Sequence, residues 1–150
     1  MKKTIQKQLH EFLRDVTAMG GLAASVLIIL LFISSPLLIP LIVGSILTAA
    51  FVLLIRIFYF KNRPKKEEYQ NFWEKIDASS FPSLHTARIV FLAVLFSVYF
   101  SNVYSTTLFT VTAALVSYSR VYLQKHDWVD VAGGIVVGVV TYFIVAKLFF

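Results

Sequence analysis

The sequence has no cysteine, which excludes a disulfide framework, a cysteine-ligated zinc site and a thiol nucleophile. Charge is also scarce. Charged residues fill 15% of the 150 positions and hydrophobic residues 58%, whereas a soluble domain carries about 25% and about 45–50%. Too little polar surface remains to cover the chain in water, and a mean hydropathy of +0.77 places it in a bilayer. One domain over residues 1–150 is expected from this length, with no room for a soluble module beside a membrane anchor. Acidic residues are the rarer charge, 8 against 14 Lys and Arg, for a net charge of +6. Where those cations lie decides whether they mean nucleic acid or membrane.

Three long stretches, residues 16–55, 89–119 and 131–146, hold no charge. A helix crosses about 30 Å of hydrocarbon with about 20 residues, so the first stretch holds two spans, broken by Ser34, Ser35, Pro36 and Pro40. We expect an all-α integral membrane bundle of about five transmembrane helices, at residues 19–34, 41–60, 84–100, 106–122 and 131–150. A polar turn at Ser101-Asn102 separates the third and fourth, and Lys147 snorkels from the last. Ahead of them, Ile5, Leu9, Phe12, Leu13 and Val16 follow helical spacing opposite Lys2, Lys3, Lys7, Glu11 and Asp15, which predicts an amphipathic interfacial helix over residues 1–18. Its apolar core comes late and no small-x-small site follows, so the segment is expected in the mature protein. Residues 61–83 form a polar loop. Gly134 and Gly138 make a small-xxx-small pair suited to close helix packing.

Polar residues at the helix ends carry the chemical signal. Arg56 lies four residues inside the end of a span, where a charge is costly unless it meets a partner, water or the interface. Arg63-Pro64 follows seven residues on, and two guanidinium groups can fork onto one oxyanion. Pro82-Ser83-Leu84-His85 opens the third span: serine caps the helix, and the free N–H groups of its first turn attract anions. Arg88 stands one turn beyond His85 on the same face, placed to meet a headgroup or the interface. Ser119-Arg120, five residues, His126, three residues and Asp130 form the third cluster. If the final helix starts early, Asp130 can bind the Nδ1–H of His126 and leave Nε2 as nucleophile or base. A structural His–Asp cap is the alternative.

Together these residues resemble the type 2 phosphatidic acid phosphatase (lipid phosphate phosphatase) superfamily, which also includes vanadium-dependent haloperoxidases. Its signatures, Lys-x6-Arg-Pro, Pro-Ser-Gly-His and Ser-Arg-x5-His-x3-Asp, correspond here to Arg56-x6-Arg63-Pro64, Pro82-Ser83-Leu84-His85 and Ser119-Arg120-x5-His126-x3-Asp130. The third match is complete. Arg56 replaces lysine, exchanging a point cation for a planar fork. Leu84 replaces glycine, which keeps the backbone N–H but crowds the approach. Many members have six spans where this chain reads as five and an amphipathic segment. Its small size, Phe-Pro-Ser-Leu-His and basic loop are most similar to compact bacterial lipid A 1-phosphatases.

The resemblance implies that His126 attacks phosphorus to form a phosphohistidine while Asp130 holds its tautomer. Arg56, Arg63, Ser83, the Leu84 N–H and Arg120 bind the phosphate oxygens, and His85 serves as general acid and then base. It implies no cofactor and no metal, since three arginines supply the countercharge and the sequence offers no clustered carboxylates for magnesium. The implied partners are the bilayer and a membrane lipid bearing phosphate or pyrophosphate: lipid A 1-phosphate, undecaprenyl pyrophosphate or phosphatidylglycerol phosphate. No nucleic acid is implied, and no obligatory protein partner is evident. The cations of the polar loop can gather anionic headgroups.

An odd number of spans puts the N-terminus and all three signatures on one face. That face also holds nearly all Lys and Arg, which the positive-inside rule assigns to the cytoplasm, whereas bacterial relatives generally work on the periplasmic face. Several of these cations belong to the candidate site. The expectation is therefore a bacterial inner-membrane protein with a periplasmic site. A non-catalytic membrane protein that binds anionic lipid or conducts an anion is the alternative from another class. A haloperoxidase is disfavoured by the short membrane chain.

Overall fold

The computed structural model describes residues 2–65 and 68–150, with side chains from residue 4 onward. The expected roles of Lys2 and Lys3 on the polar face, and of Lys66 in the basic loop, fall outside what is so described. Seven helices lie among the described residues: α1 (Lys2–Ala18), α2 (Leu22–Leu31), α3 (Leu38–Phe58), α4 (Phe72–Ala78), α5 (Leu84–Phe100), α6 (Val103–Tyr122) and α7 (Trp128–Phe149). The chain is an all-α membrane bundle. By length and composition α3 and α7 can each cross a bilayer, and α1 with α2 supplies a third crossing if the bent pair is one span.

The first expected span, residues 19–34, needs correction. The Gly20-Gly21 pair interrupts the helix, and the two segments meet at 54°. The remaining ten residues of α2 rise only about 15 Å, half the hydrocarbon thickness. Pro40 does not break the next helix either. It sits in the first turn of α3, where its missing N–H costs no hydrogen bond. The last helix starts at Trp128, ahead of the expected residue 131, because Asp127 caps it: its carboxylate accepts from the N–H groups of Val129 and Asp130, both at 3.0 Å. The polar loop contains α4, whose N-cap Asn71 accepts from the Glu74 N–H at 2.9 Å.

At the centre, α5 packs against α3, α6 and α7. Its Phe91, Leu92, Leu95 and Phe96 join Leu37, Leu41 and Val145 in the largest apolar cluster. Other apolar side chains point outward, among them Leu31, Ile46 and Phe143, each more than 60% exposed, on the surface that hydrocarbon covers. On α1, Leu13 is buried and Val16 packs beside α6, while Ile5, Leu9 and Phe12 remain exposed. The small-residue stripe of α7 determines where the site forms. A Cβ on Gly134 would come within 2.6 Å of the Ser83 carbonyl, and one on Gly138 within 2.6 Å of the Ala87 carbonyl. The backbones of α5 and α7 therefore touch, and the Ser83 N–H donates to the Asp130 carbonyl at 3.0 Å. The first turns of the two helices are held side by side.

Candidate active site

Where α3 ends and α5 and α7 begin, a cavity of about 210 Å³ is lined by Arg56, Arg63, Asp77, Leu84, His85, Arg120, Lys125 and His126. Six of its eight lining side chains are basic or imidazole, an arrangement suited to an oxyanion. Arg56, in the last turn of α3, is buried and donates from Nη2 to the Pro82 carbonyl at 3.1 Å and from Nη1 to the Asp77 carbonyl at 3.4 Å. Arg63, in the loop beyond, also donates to the Asp77 carbonyl. The end of α4 thus fixes both guanidinium groups through one backbone oxygen.

Ser83 is the N-cap of α5 and is fully buried; its Oγ accepts from the Thr86 N–H at 3.4 Å and from the Thr86 hydroxyl at 3.1 Å. It lies behind the cavity wall and secures the turn, while Leu84 and His85 form the wall. The first N–H groups of a helix have no intrahelical acceptor, so the Leu84 N–H is available beside the cavity. Arg120 and His126 are buried at the end of α6 and in the turn that follows. The His126 N–H donates to the Arg120 carbonyl at 3.2 Å, folding the turn back on the helix.

At His126 the contacts select one tautomer. Arg120 Nη2 lies 3.4 Å from Nε2, and a guanidinium can only donate. Nε2 is therefore the acceptor and the proton resides on Nδ1, which faces Asp130 Oδ2 at 3.6 Å, just beyond hydrogen-bond length. Burial pushes the His126 imidazole below its ordinary value; Asp130 opposes the shift and Arg120 adds to it. Asp130 is completely buried. Its Oδ1 accepts from Lys61 Nζ at 2.8 Å and its Oδ2 from the Asp127 N–H at 3.0 Å, while Lys61 Nζ also donates to Asp127 Oδ2 at 2.6 Å. Burial acts to lower the Lys61 ammonium, but its hydrogen bonds to Asp127 and Asp130 raise it above its ordinary value.

The structure thus gathers Arg56, Arg63, Leu84, His85, Arg120 and His126 around one cavity, with Asp130 behind His126 and Ser83 behind the α5 turn. Arg88 is elsewhere: it is half-buried and lines a separate groove between α2 and α3. His126 also departs from the expected geometry. It precedes the α7 cap and meets Asp130 across the cap, not along a helix face. Sequence reasoning missed Lys61, Asp127 and Lys125. The spacing Asp127-x-x-Asp130 before an apolar run was a legible capping signal, but nothing local marked Lys61. Among the described residues no group of His, Asp and Glu is arranged to hold a metal ion.

Comparison with known proteins identifies the fold and the family. The chain superposes on the crystal structure of LpxE from Aquifex aeolicus with a TM-score of 0.79 at 22% identity, covering 93% of this chain and 86% of that one. It superposes on the PAP2-type phosphatidylglycerolphosphate phosphatase of Bacillus subtilis with a TM-score of 0.75 at 21% identity, covering 94% and 76%. At these identities the likeness establishes a shared fold. No curated protein sequence matches the chain. The family model described as the PAP2 superfamily matches residues 37–150, a region containing every lining residue of the cavity, and the chain belongs to the PAP2 superfamily.

Proposed function

We propose that this protein is a membrane lipid phosphatase that hydrolyses a phosphate monoester or pyrophosphate through a phosphohistidine on His126. The observation that carries this reading is the convergence of Arg56, Arg63, Arg120, His85 and His126 on one cavity at helix ends, with Asp130 behind His126. His126 Nε2 attacks phosphorus, forming the N–P bond as the bond to the lipid oxygen breaks; His85 donates a proton to that oxygen. In the second half His85 takes a proton from water, whose oxygen attacks phosphorus and releases His126 and inorganic phosphate. Asp130 keeps Nδ1–H in place and stabilises the imidazolium character that develops. The three guanidinium groups and the Leu84 N–H bind the equatorial oxygens, where the charge of the transferring group is spread. Ser83 supports this by fixing the turn that presents Leu84 and His85. When phosphate enters, Arg120 exchanges its contact with Nε2 for phosphate oxygens, which frees the nucleophile.

The site lies at the ends of apolar helices, which suits a phosphate whose remainder is anchored in the bilayer. Lipid A 1-phosphate, undecaprenyl pyrophosphate and phosphatidylglycerol phosphate are the candidate substrates, met in a bacterial inner membrane on its periplasmic face. The reaction proposed uses no metal and no protein partner. The test is a phosphate-release panel over the three lipids with purified protein and its His126→Ala variant. Release by the parent and none by the variant is expected. Failure to release phosphate from any of them, together with failure to bind vanadate, overturns the reading.

A further inference from the structure

Arg88 is an intramembrane cation without an assignment in that mechanism. It lies three residues beyond His85 on α5, about 4.5 Å further along the helix axis, and so deeper in the bundle. No hydrogen bond or carboxylate ion pair engages it among the described residues. It opens onto a groove of about 240 Å³ between α2 and α3, whose lining includes Ser25, Ile29, Ile42, Ser45, Ile46 and Ala49. A guanidinium in such apolar surroundings is costly unless an anion or water meets it.

A second cleft of about 220 Å³ runs along α3 and shares Ala49 with the groove and Arg56, Asp77 and Leu84 with the phosphate cavity. The three clefts therefore stand in a row with shared walls, from the three site arginines, past Leu84 and along α3, to Arg88 and then to the exposed apolar faces of α2 and α3. Along that row the order is strong anion site, single cation, hydrocarbon. A lipid headgroup with a terminal phosphate, a second phosphoryl group and then acyl or prenyl chains presents the same order.

We propose that Arg88 binds a second phosphoryl group of the substrate, lying between the scissile phosphate and the hydrocarbon chains. The site thereby selects lipids with two neighbouring phosphoryl groups over simple diacylglycerol phosphate monoesters. This rests on the phosphatase reading and narrows its substrate class.

The test compares kcat/KM for phosphatidylglycerol phosphate, which has a diester phosphate beside the scissile one, with that for phosphatidic acid of the same acyl chains, which lacks it. The full-length protein is used in phosphatidylcholine nanodiscs. Loss of one charge-assisted contact lowers the ratio of the two values about tenfold in Arg88→Gln, and Arg88→Lys retains most of it. The ratio does not depend on how much of a variant folds. An unchanged ratio in Arg88→Gln overturns the inference alone and reassigns Arg88 to bulk headgroups or the interface. Absence of release from both lipids by the parent protein overturns this inference, and the phosphatase reading falls with it only if lipid A and undecaprenyl pyrophosphate also release no phosphate and vanadate does not bind.

Discussion

Lys61→Met removes an ammonium while keeping an unbranched stem of similar length. In the parent, Lys61 Nζ lies 2.8 Å from Asp130 Oδ1 and 2.6 Å from Asp127 Oδ2. The Asp130 side chain is 0% exposed and that of Lys61 25%. Removing one partner of a buried pair costs about 3–5 kcal/mol. The partial exposure of Lys61, and the Asp127 N–H that still serves Asp130 at 3.0 Å, reduce this to about 2–3 kcal/mol. Part of that loss appears in catalysis, because a carboxylate with one anchor fewer no longer fixes the His126 ring. Groups that orient a reacting residue indirectly are typically worth about 10–100-fold, and each tenfold is about 1.4 kcal/mol. Lys61 does not line the phosphate cavity, so the loss falls on kcat and leaves KM within about threefold. Phosphate release at varied lipid mole fraction, paired with a thermal denaturation curve in detergent, measures both effects. A kcat within twofold of the parent, or a loss confined to KM, refutes the argument that Lys61 acts through Asp130.

The pH profile and helix packing supply two further tests. Burial lowers His126 below its ordinary value, so the neutral nucleophile persists into more acidic solution and activity falls only as pH drops through that lowered value. The acid limb of kcat/KM is thus expected below about pH 6.5, and a limb at or above it contradicts the placement of His126. In Gly134→Ala the new methyl meets the Ser83 carbonyl and the Thr86 side chain. Overpacking there costs about 1–3 kcal/mol and displaces the turn bearing Leu84 and His85, so activity falls together with thermal stability. The same change at Gly133 drives its Cβ against the Phe81 ring and Pro82 Cβ, in the segment whose Pro82 carbonyl holds Arg56, so activity and thermal stability are expected to fall there as well.

The parts of this structure that local rules govern were legible in the sequence. Ser83, Asn102 and the apolar runs between them mark α5, and its observed range, Leu84–Phe100, is the one expected. Asn102 likewise caps α6 by accepting from the Ser105 N–H at 2.9 Å, which starts that helix three residues earlier than its apolar pattern suggested. Hydropathy alone hid the ends of α7 and the division of α1 from α2, because a cap and a glycine pair change backbone direction without changing apolar content. Arg56, Arg63, His85, Arg120 and His126 were found through spacing, and spacing carried no information about Lys61. Its link to Asp127 and Asp130 spans more than 60 residues and exists only after α3, α5 and α7 have packed. Arg88 illustrates the same limit: its helical spacing from His85 was readable, but the groove it faces is built by α2 and α3.

The central claim is that His126 forms a covalent bond to phosphorus. Rapid quench of the protein with a lipid substrate labelled in the scissile phosphate tests this most directly, with alkaline work-up to preserve a phosphoramidate and peptide mapping of the label. The account predicts an alkali-stable, acid-labile label on the peptide containing His126, formed before free phosphate appears and absent from His126→Ala, which also loses turnover. Steady release of phosphate by His126→Ala, or label mapped to another residue, would contradict it.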